Sequence, residues 1–228
     1  MTQPGDPPLS HARRRLALFD LDRTLIRRDT ASLYMQHQRS QRRVRLRDTA
    51  RVAYWLLQYT FGVVDAQRVA AQAMASMAGR SEASLERIMR EVYVLYGRQL
   101  VSPLARAAVR RHQAAGDWVA IVTGATRYSA EPLATELGID HLICTRVEVA
   151  EGRFTGRVVE PMCYGPGKVV LAEQEAARRG LSLDDAAFYT DSITDLPLLE
   201  RVSTQVAVNP DPRLRRLASQ RGWRIEQW

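Results

Sequence analysis

The chain has 228 residues, 46% of them hydrophobic and 25% charged, the composition of a globular protein long enough to bury a substantial core. No apolar run reaches the roughly 20 residues of a membrane-spanning helix; the longest, Val52 to Val64, covers 13 and contains Gln58. The net charge is +8, and of the 33 basic residues only Lys168 is lysine, the other 32 being arginine.

The polar, proline-containing start reads as disordered over residues 1–14, and it has no apolar signal segment, so a cytoplasmic location is expected. Leu16 to Phe19 is an apolar strand running into Asp20-Leu21-Asp22-Arg23-Thr24. In an extended chain side chains repeat every second residue, which would put both carboxylates and the threonine hydroxyl on one face. The carboxyl end of a strand is also where open α/β sheets place their ligands.

A stretch without convincing strands follows. Segments 31–48, 49–62, 66–78 and 82–96 read as helices, the last two on Val69, Ala70, Ala73, Met74 and Met77, then Leu85, Ile88, Met89, Val92, Leu95 and Tyr96. They make 31–99 a helical insert within a core of 15–30 and 100–228. Ser102-Pro103 opens a helix that Gly116 stops. Trp118 to Val122 is a buried-type strand ending at Thr123-Gly124, and Glu131 to Leu137 is a helix closed by Gly138. His141 to Val149 and Phe154 to Val159 flank Glu151-Gly152 as a strand pair. Lys168 to Arg179 is a helix ended by Gly180, and Ala186 to Tyr189 a strand ending at Thr190-Asp191-Ser192. Short strands at Thr204 to Val208 and Trp223 to Ile225 finish the chain. This alternation predicts an α/β fold, a Rossmann-like parallel sheet with helices on both faces and an inserted helical cap.

Each polar feature has a bland reading alone: a strand-end turn for Asp20 and Asp22, an ordinary hydroxyl for Thr123, a solvated helix residue for Lys168, and helix capping for Asp191 and Asp195. In order and together they are more specific. The chain resembles the haloacid dehalogenase (HAD) superfamily from Leu16 to its end, and within it the phosphoserine-phosphatase-like branch, subfamily IB. Asp20, Asp22 and Thr24 match the Asp-x-Asp-x-Thr motif, Thr123 the Ser or Thr ending a strand, Lys168 the lysine opening a helix, and Asp191, Ser192 and Asp195 the Asp-Ser-x-x-Asp motif. The helical gap falls between the first two motifs, where that branch carries its cap.

Phosphoryl transfer needs positioning and neutralisation of charge on the phosphate oxygens. Asp20 is expected as nucleophile, forming an aspartyl-phosphate, and Asp22 as general acid and base. Anions beside an anionic substrate call for a divalent cation, and Mg²⁺ suits oxygen ligands. Asp20 and Asp191 would supply side-chain ligands, and the resemblance adds the main-chain carbonyl of Asp22. Thr123, the Gly124 amide and Lys168 would hold phosphate oxygens, while Asp195 orients Asp191, Lys168 or a metal-bound water, with Thr24 and Ser192 in support. A surviving lysine in an arginine-rich chain fits a position needing a compact point charge. Two departures stand out: Arg23 occupies a position where many relatives carry glycine or another small residue, and Thr190 one where they often carry glycine.

The resemblance implies that Asp29 contacts an amino group of the substrate; helix capping with Thr30 is the alternative. The expected reaction is hydrolysis of a small phosphorylated metabolite, an amine-bearing one such as phosphoserine or histidinol phosphate being a candidate. The rivals are a phosphotransferase, a phospholipid or lysophospholipid head-group phosphatase, and a non-catalytic binding protein. Arg39, Arg42, Arg43, Arg45, Arg47 and Arg51, followed by Tyr54, Trp55, Leu56, Leu57, Tyr59 and Phe61, could touch a membrane surface or be a solvated cap face. No nucleic-acid module accompanies the arginines. His11, His37, His112 and His141 form no visible metal set, Cys144 and Cys163 give no disulfide framework, and Cys163 reads as packing.

Overall fold

The computed structural model describes residues 15–41, 72 and 74–228. The expected disordered start, the helix over 49–62, most of the helix over 66–78, the arginines from Arg42 to Arg51 and the aromatics after them lie outside the described residues.

Seven strands form one sheet in the order β4-β3-β2-β1-β5-β6-β7: β1 Leu16–Phe19, β2 Trp118–Thr126, β3 His141–Ala150, β4 Arg153–Val159, β5 Ala186–Thr190, β6 Thr204–Val208 and β7 Arg224–Glu226. Neighbours are parallel except the β3–β4 hairpin. The helices are α1 Thr30–Ser40, α2 Glu82–Val92, α3 Pro103–Ala114, α4 Arg127–Leu137, α5 Pro166–Ala177, α6 Leu196–Leu199 and α7 Pro212–Arg221.

Alternation along β1 sorts the core into two layers. Ala17 and Phe19 pack with Ala105, Ala108 and Val109 of α3 and with Ala130 and Leu133 of α4. Leu16 and Leu18 face the other way, onto Leu171 and Ala172 of α5, Leu198 and Leu199 of α6, and Leu214 of α7. Asp20 continues the phase of Leu16 and Leu18, which aims it at the side of the sheet carrying α5. Both sheet faces are covered, as near-continuous apolar strands such as Leu16–Phe19 require.

Residues 79–82 dock on the β3–β4 hairpin. Gly79 and Glu82 donate backbone hydrogen bonds to Phe154 and Gly152, and Phe154 donates to Arg80. Met89, Tyr128 and Phe154 form a small separate core there. Among the described residues no helix is long and apolar enough to cross a membrane.

Several boundaries differ from expectation, among them the helix read over 31–48, which ends at Ser40 as α1. Strand β2 runs on to Thr126, after an irregularity that pairs Thr126 with Thr145. Helix α4 begins at Arg127, not Glu131, because Arg127 and the Tyr128 hydroxyl are anchored 2.9 and 2.7 Å from Glu82 of α2. The helix over 82–96 is α-helical only to Val92 and continues as a π turn over Tyr93–Gly97.

Candidate active site

Strand β1 stops at Phe19, so Asp20 leaves its end while the chain turns instead of extending. Leu25 and Ile26 both donate backbone bonds to the Leu21 carbonyl, and Arg23 sits in the left-handed region at φ 58°. The expected common face for Asp20, Asp22 and Thr24 on one extended strand is therefore replaced by a tight turn. Asn209 donates its side-chain amide to the Arg23 carbonyl at 3.3 Å. Glycine would sit at this φ without a Cβ conflict, whereas other L-residues lose about 1–2 kcal/mol. Arg23→Gly is accordingly expected to leave stability unchanged or raise it by up to about 1 kcal/mol in urea unfolding, after its unfolded-state entropy is offset. A clear loss would mean that the guanidinium's own contacts outweigh the strain.

Lys168, on the first turn of α5, brings the site together. Its Nζ donates to Asp20 Oδ1 at 2.8 Å and to Asp195 Oδ2 at 2.7 Å, and its side chain is 4% exposed. The Thr190 hydroxyl donates to the same Asp195 oxygen at 2.6 Å. Capping does not explain these acids: Ser192 caps the 3-10 turn Ile193–Asp195, and Asp195 precedes α6 without a side-chain cap bond. Thr190, flagged only as a departure from relatives, thus has a partner that glycine could not provide.

Asp22 turns toward the start of α1. The Thr30 N–H, at the start of α1, donates to Asp22 Oδ1 at 2.8 Å, and the Thr30 hydroxyl donates to Oδ2 at 3.4 Å. Asp29 caps α1 by accepting from Ser32 N–H at 2.8 Å and lies 3.8 Å from the Arg23 guanidinium. The Thr123 hydroxyl accepts from Ala125 N–H at 3.1 Å, which leaves its own proton to donate. Gly124 lies beside the Cys163 carbonyl, which a Cβ there would meet at 3.5 Å. The sequence offers Thr30 only in a capping role beside Asp29, because its bond to Asp22 is a tertiary contact.

The electrostatics are unbalanced. Asp20, Asp191 and Asp195 are buried against the single buried ammonium of Lys168. Burial pushes Asp20 up to about 7, with Lys168 opposing and Asp195 and Asp22 adding to the rise. Burial likewise pushes Asp22 up to about 6, against the Thr30 backbone bond. Asp191 is raised well above the carboxylate range by burial, then by Asp20 and Asp195, with Arg23 and Lys168 opposing. Burial opposes charge on Lys168, but Asp195 and Asp20 outweigh it and hold the ammonium protonated.

Among the described residues no three His, Cys, Asp or Glu side chains converge as a metal cage. A hard cation can be held by fewer carboxylates when a main-chain carbonyl and substrate oxygens complete the set. The excess buried carboxylate charge fits such a cation. So does the buried Thr24 hydroxyl, which has no hydrogen-bond partner among the described residues. The described histidines are engaged elsewhere: His112 bridges Asp117 and Tyr189, His141 stacks on Trp118, and His37 lies 3.7 Å from Glu91. Cys163 is packed, its thiol donating to the Ile143 carbonyl at 3.4 Å, and burial pushes it up to about 12.

The comparisons agree with this geometry. The family model for haloacid dehalogenase-like hydrolases matches residues 17–200. A histidinol-phosphatase of Neisseria meningitidis serogroup C is 33% identical over 217 residues, covering 93% of this chain and 98% of that protein. A phosphoserine phosphatase of Mycobacterium tuberculosis is 33% identical over 216 residues, covering 93% of this chain and 70% of its own. A Bordetella pertussis protein of unknown function superimposes with a TM-score of 0.84 at 36% identity, over 93% of this chain and 98% of that one. A substrate-bound phosphoserine phosphatase shares the fold at a TM-score of 0.71 and 17% identity, over 95% and 94% of the two chains. With Asp20, Lys168 and Asp195 joined by hydrogen bonds and the family match spanning most of its length, the chain belongs to the haloacid dehalogenase-like hydrolase family.

Proposed function

We propose that this protein, a phosphatase of the haloacid dehalogenase-like family, hydrolyses a small phosphomonoester through an aspartyl-phosphate at Asp20, with Mg²⁺ as cofactor. The observation that carries this reading is the buried bridge from Lys168 to Asp20 and Asp195 beside Asp191. Asp20 attacks phosphorus and the bond to the ester oxygen breaks. Asp22, whose pKa of about 6 keeps a proton within reach near neutrality, gives that proton to the leaving oxygen. It then takes one from the water that attacks the phosphorylated Asp20. The Thr30 N–H fixes which way the Asp22 carboxylate faces. Thr123, with its hydroxyl proton free, the Gly124 amide and Lys168 hold the phosphoryl oxygens. Mg²⁺, held by Asp20, Asp191 and the Asp22 main-chain carbonyl, would neutralise charge on the transferring group. Ser192 supports Asp191's loop through its bond to Thr194 N–H at 3.3 Å.

For the substrate we propose an amine-bearing phosphomonoester, with histidinol phosphate tested first. The support is the 33% identity to the Neisseria protein named for that activity, of which this chain covers 98%. Phosphoserine comes next, from the mycobacterial relative and from Asp29. Asp29 already caps α1 and neighbours Arg23, so a substrate ammonium there would share the carboxylate with both.

Phosphate release from both esters, before and after chelation of divalent cations, tests the reading. Chelation is expected to lower release by about 100-fold or more, and added Mg²⁺ to restore it. Release that persists undiminished after chelation, or no release from any phosphomonoester, would overturn it.

A further inference from the structure

The segment Asn209-Pro210-Asp211-Pro212 joins β6 to α7 and is not among the family motifs matched above. Its composition makes it stiff: the two prolines fix φ near −65°, and Asn209 holds the left-handed region at φ 45°, which asparagine tolerates better than most residues. Every hydrogen-bonding group of Asn209 named here is used between elements. Its N–H donates to the Glu226 carbonyl at 2.9 Å, its side-chain oxygen accepts from Trp228 N–H at 2.8 Å, and its side-chain amide donates to the Arg23 carbonyl at 3.3 Å.

Asp211 works on the other loop. Its N–H donates to the Asp191 carbonyl at 2.8 Å, and its Oδ2 accepts from Ile193 N–H at 2.7 Å. Its Oδ1 meanwhile caps α7, accepting from Arg213 and Leu214 N–H at 2.8 and 2.9 Å. The peptide units on both sides of the Asp191–Ile193 turn are thereby pinned to one residue, and the turn that follows Asp20 is pinned two residues earlier.

We propose that Asn209 and Asp211 are positioning residues: one rigid loop ties the turn carrying Asp22 and Arg23 to the turn carrying Asp191, and so sets the spacing of the groups that bind Mg²⁺. The proposal rests on the metal-binding reading given above. A turn that merely closes β6 onto α7 would need the cap and the prolines but not the bonds to Arg23, Asp191 and Ile193. Those three bonds all end on the two catalytic turns. Groups that orient a metal ligand are commonly worth about 10–100-fold in metal affinity.

The test compares Mg²⁺ binding by calorimetry and amide hydrogen exchange in the wild-type protein and three variants. Asp211→Ser keeps an oxygen short enough to cap α7 but not to reach Ile193. Asn209→Gly keeps the left-handed backbone and removes both side-chain bonds. Ser81→Ala removes the cap of α2, on the side of the β3–β4 hairpin, as a control for lost stability. Asp211→Ser is expected to weaken Mg²⁺ binding about 10-fold and to speed exchange at Ile193. Asn209→Gly is expected to speed exchange over the turn that follows Asp20, and Ser81→Ala to do neither. Wild-type Mg²⁺ affinity in Asp211→Ser overturns the proposal. A wild-type protein that binds no Mg²⁺ refutes the metal-dependent function instead, and exchange then decides: unchanged protection of both turns in both loop variants overturns the positioning role, and lost protection upholds it.

Discussion

Asp20→Asn is expected to fold and to lose at least about 10⁴-fold in kcat for phosphate release. The amide has the shape of the carboxylate, and its oxygen can still accept from Lys168, so the loss measures nucleophilicity and metal binding and not collapse of the site. Stability should move the other way. In the absence of divalent cations, burial and the neighbouring acids raise Asp20 from 3.8 to about 7. A carboxyl whose folded pKa is raised favours the folded state while protonated, and that contribution is lost as pH rises through the folded value. Wild-type protein should therefore lose stability between about pH 4 and 7 through this group, whereas the asparagine variant is spared. Thermal melts at several pH values, in chelator, would show the two curves separating toward neutrality. A variant within tenfold of wild-type turnover would remove Asp20 from its role.

Lys168→Met is expected to be the single change most damaging to stability, and to lower activity strongly as well. Methionine fills nearly the same space but removes the ammonium from between Asp20 and Asp195. Breaking a buried ion pair from one side typically costs about 3–5 kcal/mol, because the remaining charge stays buried. Protonation of Asp20 would relieve part of this at low pH. Activity should fall by about 10³-fold or more, since the phosphoryl group loses its charge partner as well. Lys168→Arg should not rescue it. The lysine side chain is 4% exposed and wedged between oxygens at 2.8 and 2.7 Å, a space for a compact charge but not for a planar fork. Urea unfolding and initial rates on the three proteins check this. An arginine variant with wild-type rates, or a methionine variant within about 1 kcal/mol of wild-type stability, would contradict it.

Much of this was legible in the sequence because the deciding features are local. Strand period and flanking turns identify β1 and β5, and Asp20 and Asp191 follow directly on them. The isolated lysine marks α5, although its partners lie 148 and 27 residues away. What was not legible depends on tertiary partners. Helix α4 begins early because Glu82 captures Arg127 and Tyr128. Period-two reasoning carried Asp22 and Thr24 onto the face of a strand that in fact ends at Phe19, because it cannot anticipate Arg23 in a left-handed turn held by Asn209. The Thr30–Asp22 contact, which joins α1 to the turn that follows Asp20, likewise has no local signature. Proline-rich turn chemistry at Asn209-Pro210-Asp211-Pro212 was the one readable signal left unused.

The most direct test of the central claim is rapid quenching of a single turnover in acid, followed by mass spectrometry of the peptides. With histidinol phosphate or phosphoserine and Mg²⁺, a phosphate adduct should appear on the peptide containing Asp20, decay as inorganic phosphate is released, and be absent from Asp20→Asn. Turnover of either ester with no adduct at any quench time, or with the adduct on another residue, would contradict an aspartyl-phosphate at Asp20.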